Sequence, residues 1–186
     1  MRALRLVVTT FLAMLLLACA APGRIGGEGP AFERTGRFAV LLRSVGAADQ
    51  AVQGGFAWRD SGDALRLDLL NPMGSVLARI LVRPQQAILE RADGTREQAA
   101  NPDALLAQVW GEAIPVAGLR AWIRGEPWAG SSVASIQRDD RQRITALVQD
   151  DWSLRLSDYD AQGPRRVRLT RDQGGQHLSL QLIIDP

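Results

Sequence analysis

Residues 65–80 read LRLDLLNPMGSVLARI, and the choice of fold depends on how this stretch is read. Leu65, Leu67 and Leu69 share one face of an extended chain, with Arg66 and Asp68 on the other. A period of two with one polar face marks an antiparallel strand covered on one side only. Asn71-Pro-Met-Gly-Ser75 then interrupts the run, with Pro72 presetting a turn dihedral and Gly74 admitting a positive φ, before VLARILVR resumes a strand. The prediction is a hairpin with Met73 at its tip. An apolar side chain there either folds back onto the sheet as core or is displayed to something other than water.

The same alternation continues in both directions. In RFAVLLRSV (37–45) Phe38, Val40 and Leu42 share a face, and in GGFAWRD (54–60) Phe56 and Trp58 do. QAILERADG (86–94) adds a strand ending in a good hairpin turn. RITALVQD (143–150), DWSLRLSDY (151–159), RRVRLTRDQ (165–173) and HLSLQLIID (177–185) repeat the pattern between turns rich in Asp, Gly and Pro. About nine to eleven strands are expected.

Residues 101–127, NPDALLAQVWGEAIPVAGLRAWIRGEP, depart from that period and predict two short helices. Asn101 is placed as N-cap and Pro102 as first helical residue, with Leu105, Leu106, Val109 and Trp110 on one face and Gly111 as the stop. Pro115 opens a second helix with the stripe Leu119, Trp122 and Ile123, ending by Gly125 and Pro127. Helices inserted into a long meander need a surface, and the concave face of a curved sheet offers one. The pattern alone leaves two interiors open: a fully packed sheet-on-helix core, or a half-closed barrel whose helical lid covers an apolar cavity.

The first residues have another purpose. Arg2 and Arg5 precede LVVTTFLAMLLLA, shorter than the roughly 20 residues that cross a bilayer as a helix. Residues 1–18 read as a signal peptide, to be set aside from the fold. They lead into LLAC (16–19), with Leu16 three places before Cys19 and small Ala18 just before it. Cys19 is the only cysteine, so no disulfide can form within the chain. The segment after it is rich in Gly, Pro and Ala, and residues 19–33 are expected to be a lipidated N-terminus and flexible linker ahead of one domain, 34–186. Without Arg2 and Arg5 the chain holds twenty arginines against twenty acidic residues, so no general attraction to nucleic acid is indicated. It has no lysine, which removes the phosphate-loop lysine and lysine-based kinase signatures. Ser131 and Ser132 follow Gly130 without a nucleophile elbow, and His177, the only histidine, lies in a strand without metal-binding partners. An enzyme is therefore not expected, and neither a cofactor nor a metal.

The LLAC run resembles a bacterial lipobox, which implies a diacylglyceryl thioether and an amide-linked acyl chain on Cys19. Ala20 in place of an acidic residue implies the outer membrane as its address, with the domain facing the periplasm. LRLDLLNPMGSVLARI is similar to the strand, NPLG turn and strand of the LolB family of outer-membrane lipoprotein receptors. AIPVAGLRAWIRGEP (113–127) resembles that family's helical segment, and GRFAV (36–40) and DWSLRLSDY resemble its flanking strands.

The resemblance implies a mainly β (α+β) fold, an incomplete, strongly curved antiparallel barrel whose short helical lid encloses an apolar cavity for acyl chains. It also implies a function: accepting lipoproteins from the periplasmic carrier LolA and inserting them into the outer membrane. Expected partners are that carrier, lipoprotein acyl chains and outer-membrane lipid, but not nucleic acid, and a monomer is expected. Candidate cavity-lining residues are Phe38, Val40, Phe56, Trp58, Leu67, Leu69 and Ile80 on strands, with Leu119, Trp122 and Ile123 on the second helix. Met73 falls on the apolar position of the family's insertion turn, shaped by Asn71, Pro72 and Gly74, with Met where the family has Leu. The alternative is a lipid-binding or scaffold lipoprotein of the same fold that performs no transfer.

Overall fold

The computed structural model describes residues 31–111 and 114–186, without the side chain of Trp110. Cys19, the signal peptide and most of the expected linker lie outside the described residues. The elements run β1 (Phe32–Ser44), β2 (Gln50–Asp60), β3 (Leu65–Leu70), β4 (Val76–Arg83), β5 (Gln86–Arg91), β6 (Arg96–Ala99), α1 (Pro102–Trp110), α2 (Val116–Trp122), β7 (Val133–Arg138), β8 (Ile144–Gln149), β9 (Trp152–Tyr159), β10 (Pro164–Gln173) and β11 (Gln176–Ile184).

The eleven strands form one sheet in the order β6-β5-β4-β3-β2-β1-β11-β10-β9-β8-β7, each paired antiparallel with its neighbours. Read from β1 outward it is a meander in both directions. The edges β6 and β7 do not pair with each other, and the connection between them carries both helices. The sheet does not close through its edge strands, which makes the barrel incomplete.

Curvature has a local cause. A Cβ on Gly36 would lie 2.1 Å from the carbonyl oxygen of Ile183 on the neighbouring strand, so only glycine lets β1 and β11 approach so closely. Gly36 also takes an inward position of β1 between buried Arg34 and buried Phe38. Strand β1 starts at Phe32, inside the stretch expected to be linker. Phe32 pairs with Asp60, and the guanidinium of Arg124 stacks 3.8 Å from the centre of its ring.

The helices form where their caps say. The Asn101 side chain accepts a 2.8 Å hydrogen bond from the Ala104 N–H, Pro102 is the first helical residue, and Gly111 ends α1 at φ 77°. Helix α2 follows Pro115 and ends at Trp122, with a turn closed by the Gly125 N–H donating to the Trp122 carbonyl at 3.0 Å. Leu105 of α1 packs into a small cluster with Ile80, Ala87 and Leu89. Val116, Leu119 and Trp122 of α2 enter the main core, among Phe38, Phe56, Trp58, Leu154, Leu169 and Leu180.

Candidate functional site

Under α2 lies a pocket of about 90 Å³, walled by fourteen apolar side chains. Phe38, Val40, Phe56, Trp58, Leu67, Leu69 and Ile80 line it from the strands and Leu119 from α2. Trp122 and Ile123 do not line it. Trp122 is wholly buried on another side of α2, donating from its indole Nε1 to Gln149 Oε1 at 3.0 Å, and Ile123 is 1% exposed in the same core. Leu65, Leu106, Ile114, Val116, Leu180 and Leu182 complete the wall. Period two indicates which face of β3 or β11 is inward but not how deep a residue sits, so Leu180 and Leu182 carried no sign separating wall from core.

The pocket is small for its chemistry. Pockets that enclose a whole small-molecule ligand run to about 300–1,000 Å³, so this space takes only part of an acyl chain. The described conformation is narrow, and a whole acyl chain needs more room than it offers.

Polar contacts hold the lid. Arg120 of α2 hydrogen-bonds through Nε to Asp60 Oδ2 at 2.9 Å and through Nη2 to Asp60 Oδ1 and the Gly62 carbonyl. Arg124 adds a 3.4 Å contact to the same carboxylate, which is 3% exposed. Burial pushes the Asp60 carboxyl up, but Arg120, the Gly62 N–H and Arg124 outweigh it and hold it below its ordinary 3.8. At the other end of α2, the Asp103 carboxylate of α1 accepts from the Val116 N–H at 2.9 Å, tying the helices together. Burial raises the Asp103 carboxyl above its usual value despite that bond. Beyond α2, buried Gln149 accepts from the Trp122 indole and the Trp128 N–H and donates to the carbonyls of Trp128 and Ser131, so both ends of its amide are satisfied. Trp58 differs: its indole Nε1 is buried and has no partner. Leaving a buried donor unpaired costs about 1–3 kcal/mol.

Met73 is 91% exposed. Its turn is rigid: Asn71 Oδ1 accepts from the Met73 N–H at 2.9 Å and the Ser75 N–H at 3.0 Å, and the Gly74 N–H donates to the Asn71 carbonyl at 2.9 Å. Gly74 sits at φ 84°, a conformation that strains other residues. Val76 and Leu77, just beyond Gly74 and Ser75, are also exposed, so three apolar side chains in and next to the turn face solvent. Among the described residues, no three His, Cys, Asp or Glu are grouped to hold a metal ion.

A curved open sheet with a helical cover, an apolar-walled pocket beneath it and an apolar residue held out on a braced turn defines an incomplete-barrel type of protein. The family model for outer membrane lipoprotein LolB matches residues 30–186. The chain belongs to the LolB family. It is 45% identical over 179 residues to the outer-membrane lipoprotein LolB of Bordetella pertussis, covering 95% of this chain and 90% of the relative. It is 39% identical over 181 residues to that of Cupriavidus necator, covering 93% of this chain and 91% of the relative. A solved LolA superfamily protein, NE2245 from Nitrosomonas europaea, aligns at TM-score 0.40 and 9% identity over 87% of this chain and 90% of its own. Family membership places the chain among lipid-anchored outer-membrane lipoproteins, facing the periplasm, and not among enzymes.

Proposed function

We propose that this protein is the outer-membrane receptor that takes lipoproteins from a periplasmic carrier of the LolA type and delivers them to the bilayer without nucleotide hydrolysis. The observation that carries this reading is the apolar-walled pocket beneath the helical lid. Each buried methylene is worth about 0.8 kcal/mol, so a chain of about 15 carries about 12 kcal/mol of aversion to water. Such chains pass best from one apolar interior directly into another. With no energy source in the step, transfer runs downhill: this interior holds the chains better than the carrier's and less well than the bilayer.

In this scheme Phe38, Val40, Phe56, Trp58, Leu67, Leu69, Ile80 and Leu119 contact acyl chains, with Trp122 and Ile123 behind them bracing the lid. Cys19 carries the protein's own lipid, and the Asn71–Gly74 turn presents Met73 to the bilayer during delivery. Met and Leu are close in volume, so Met73 serves where the family has Leu.

The test uses two full chains lacking the lipidated cysteine through Cys19→Ala, one with Met73 and one with Met73→Glu. Each is given carrier-bound lipoprotein and then liposomes, with cargo on the protein and cargo in the liposomes measured separately. Receipt by both and delivery only by the Met73 chain is the expected result. If neither takes cargo from an active carrier, the receptor reading fails and a lipid-binding lipoprotein without transfer replaces it.

A further inference from the structure

One side chain of the pocket wall carries a polar group whose bonding is incomplete, buried behind the apolar lining. Trp58 is 4% exposed and lines the pocket, yet its indole N–H finds no acceptor, whereas the equally buried indole of Trp122 is bonded to Gln149. Directly across the β1–β2 ladder, Trp58 pairs with Arg34. Arg34 is also buried, and its Nε is likewise without a partner although its two terminal nitrogens bond Asp160 at 2.6 and 2.8 Å. Directly opposed residues on one face have Cβ atoms about 4.5–5.5 Å apart. Two unpartnered buried donors therefore stand on paired residues, of which Trp58 lines the pocket and Arg34 lies behind it.

We propose that Trp58 is the polar subsite of the pocket, its Nε1 donating to a neutral carbonyl oxygen, the ester or amide that joins an acyl chain to its head. The inference rests on the reading of the pocket as an acyl-chain site. An indole N–H is a donor only, so the group it recognises must be an acceptor. Water is a poor occupant, because it needs two to four polar partners and the remaining wall is apolar. A carboxylate is disfavoured too: the Arg34 cation paired with Trp58 is already neutralised by Asp160, and burying a second anion there would go uncompensated. A neutral carbonyl fits on both counts. It is also what every acyl chain of a lipoprotein anchor carries at its head end, so the subsite sets how deep the chains descend. Because Nε1 is buried in the described conformation, the bond forms only as the pocket widens.

The test uses the full chain carrying Cys19→Ala, alone and with Trp58→Phe. Three probes are bound: a lipopeptide with ester- and amide-linked palmitoyl chains, a phosphatidylethanolamine with the same chains, and hexadecane, which has no acceptor. The expected result is that Trp58→Phe shrinks the preference for the lipopeptide over hexadecane about five- to tenfold, the worth of one hydrogen bond. In the unsubstituted Trp58 chain, the Nε1–H proton resonance should move downfield with the lipopeptide and not with hexadecane, a readout that needs no variant to fold. Loss confined to the lipopeptide assigns the donor to lipoprotein anchors, and loss with both lipids assigns it to glycerol esters in general. An unchanged preference in Trp58→Phe, or an Nε1–H resonance that responds alike to all three probes, overturns the inference and leaves the apolar site standing. Failure of the Trp58 chain to bind any probe overturns the acyl-chain site and the subsite with it.

Discussion

Strand β3 joins two ends of the molecule built on opposite principles. At Leu65, paired with Asp60, the chain is fastened by buried charge: Asp60 to Arg120 and Arg124, and Arg34 to Asp160. At Leu70 it runs into a turn whose outermost side chain is apolar and almost wholly in solvent. The first end spends polar groups on holding a lid and the chain's beginning in place. The second leaves apolar surface unsatisfied, and only its backbone is braced. On the proposed reading, stability and delivery are carried by different residues and can be varied separately.

Four substitutions test that separation. Asp60→Ala strips the carboxylate from Arg120 and Arg124 and should destabilise the fold by about 3–4 kcal/mol, read as a fall in urea midpoint. Asp160→Asn should cost about 2 kcal/mol, since it leaves Arg34 buried with a weaker partner. Its pH dependence sharpens the point. The Arg34 guanidinium holds the Asp160 carboxyl at about 2, below its ordinary 3.8, so in that window the unfolded chain binds more protons. The pair's contribution is complete above about pH 4 and is lost as pH falls through about 2, where the stabilities of Asp160→Asn and the unsubstituted chain should converge.

Asn71→Ala removes the acceptor of the Met73 and Ser75 N–H groups and should cost about 1 kcal/mol or less, because water reaches both. It should blunt delivery more than stability. Met73→Glu should change the urea midpoint least, by under about 0.5 kcal/mol equivalent, while reducing delivery to liposomes about tenfold, since a charge resists entering a bilayer. If Met73→Glu destabilised the fold as much as Asp60→Ala, the two ends would not differ in the way described.

The strands were legible because most inward positions are large and apolar while outward ones are polar. The start of β1 escaped notice for the same reason: its inward positions are Arg34, a charge, and Gly36, which has no side chain, so no alternation marks Phe32–Gly36. Both helix starts and the Gly111 stop were readable from Asn101, Pro102 and Pro115, because caps are local chemistry. The pocket was legible as a face and not as a depth. Leu67 and Leu69 were named from β3 alone, whereas Leu180 and Leu182 enter the wall because β11 pairs with β1, a contact set by residues far apart in the chain. The unpaired indole of Trp58 had no signal at all, since whether a donor is satisfied depends on every neighbour it acquires.

The position of β1 also governs when the molecule can exist. It lies mid-sheet, and Gly36 pairs with Ile184, the last residue of the last strand. The earliest of the described strands to emerge must therefore wait for the final one before half of its hydrogen bonds have partners. Phe38 and Val40 stay uncovered until Leu180 and Leu182 arrive. Pairing across such a separation is slow, because loop closure must precede any contact that rewards it. A chain interrupted before β11 is left with an open seam through its centre, and that seam is the surface a folding helper would need to shield.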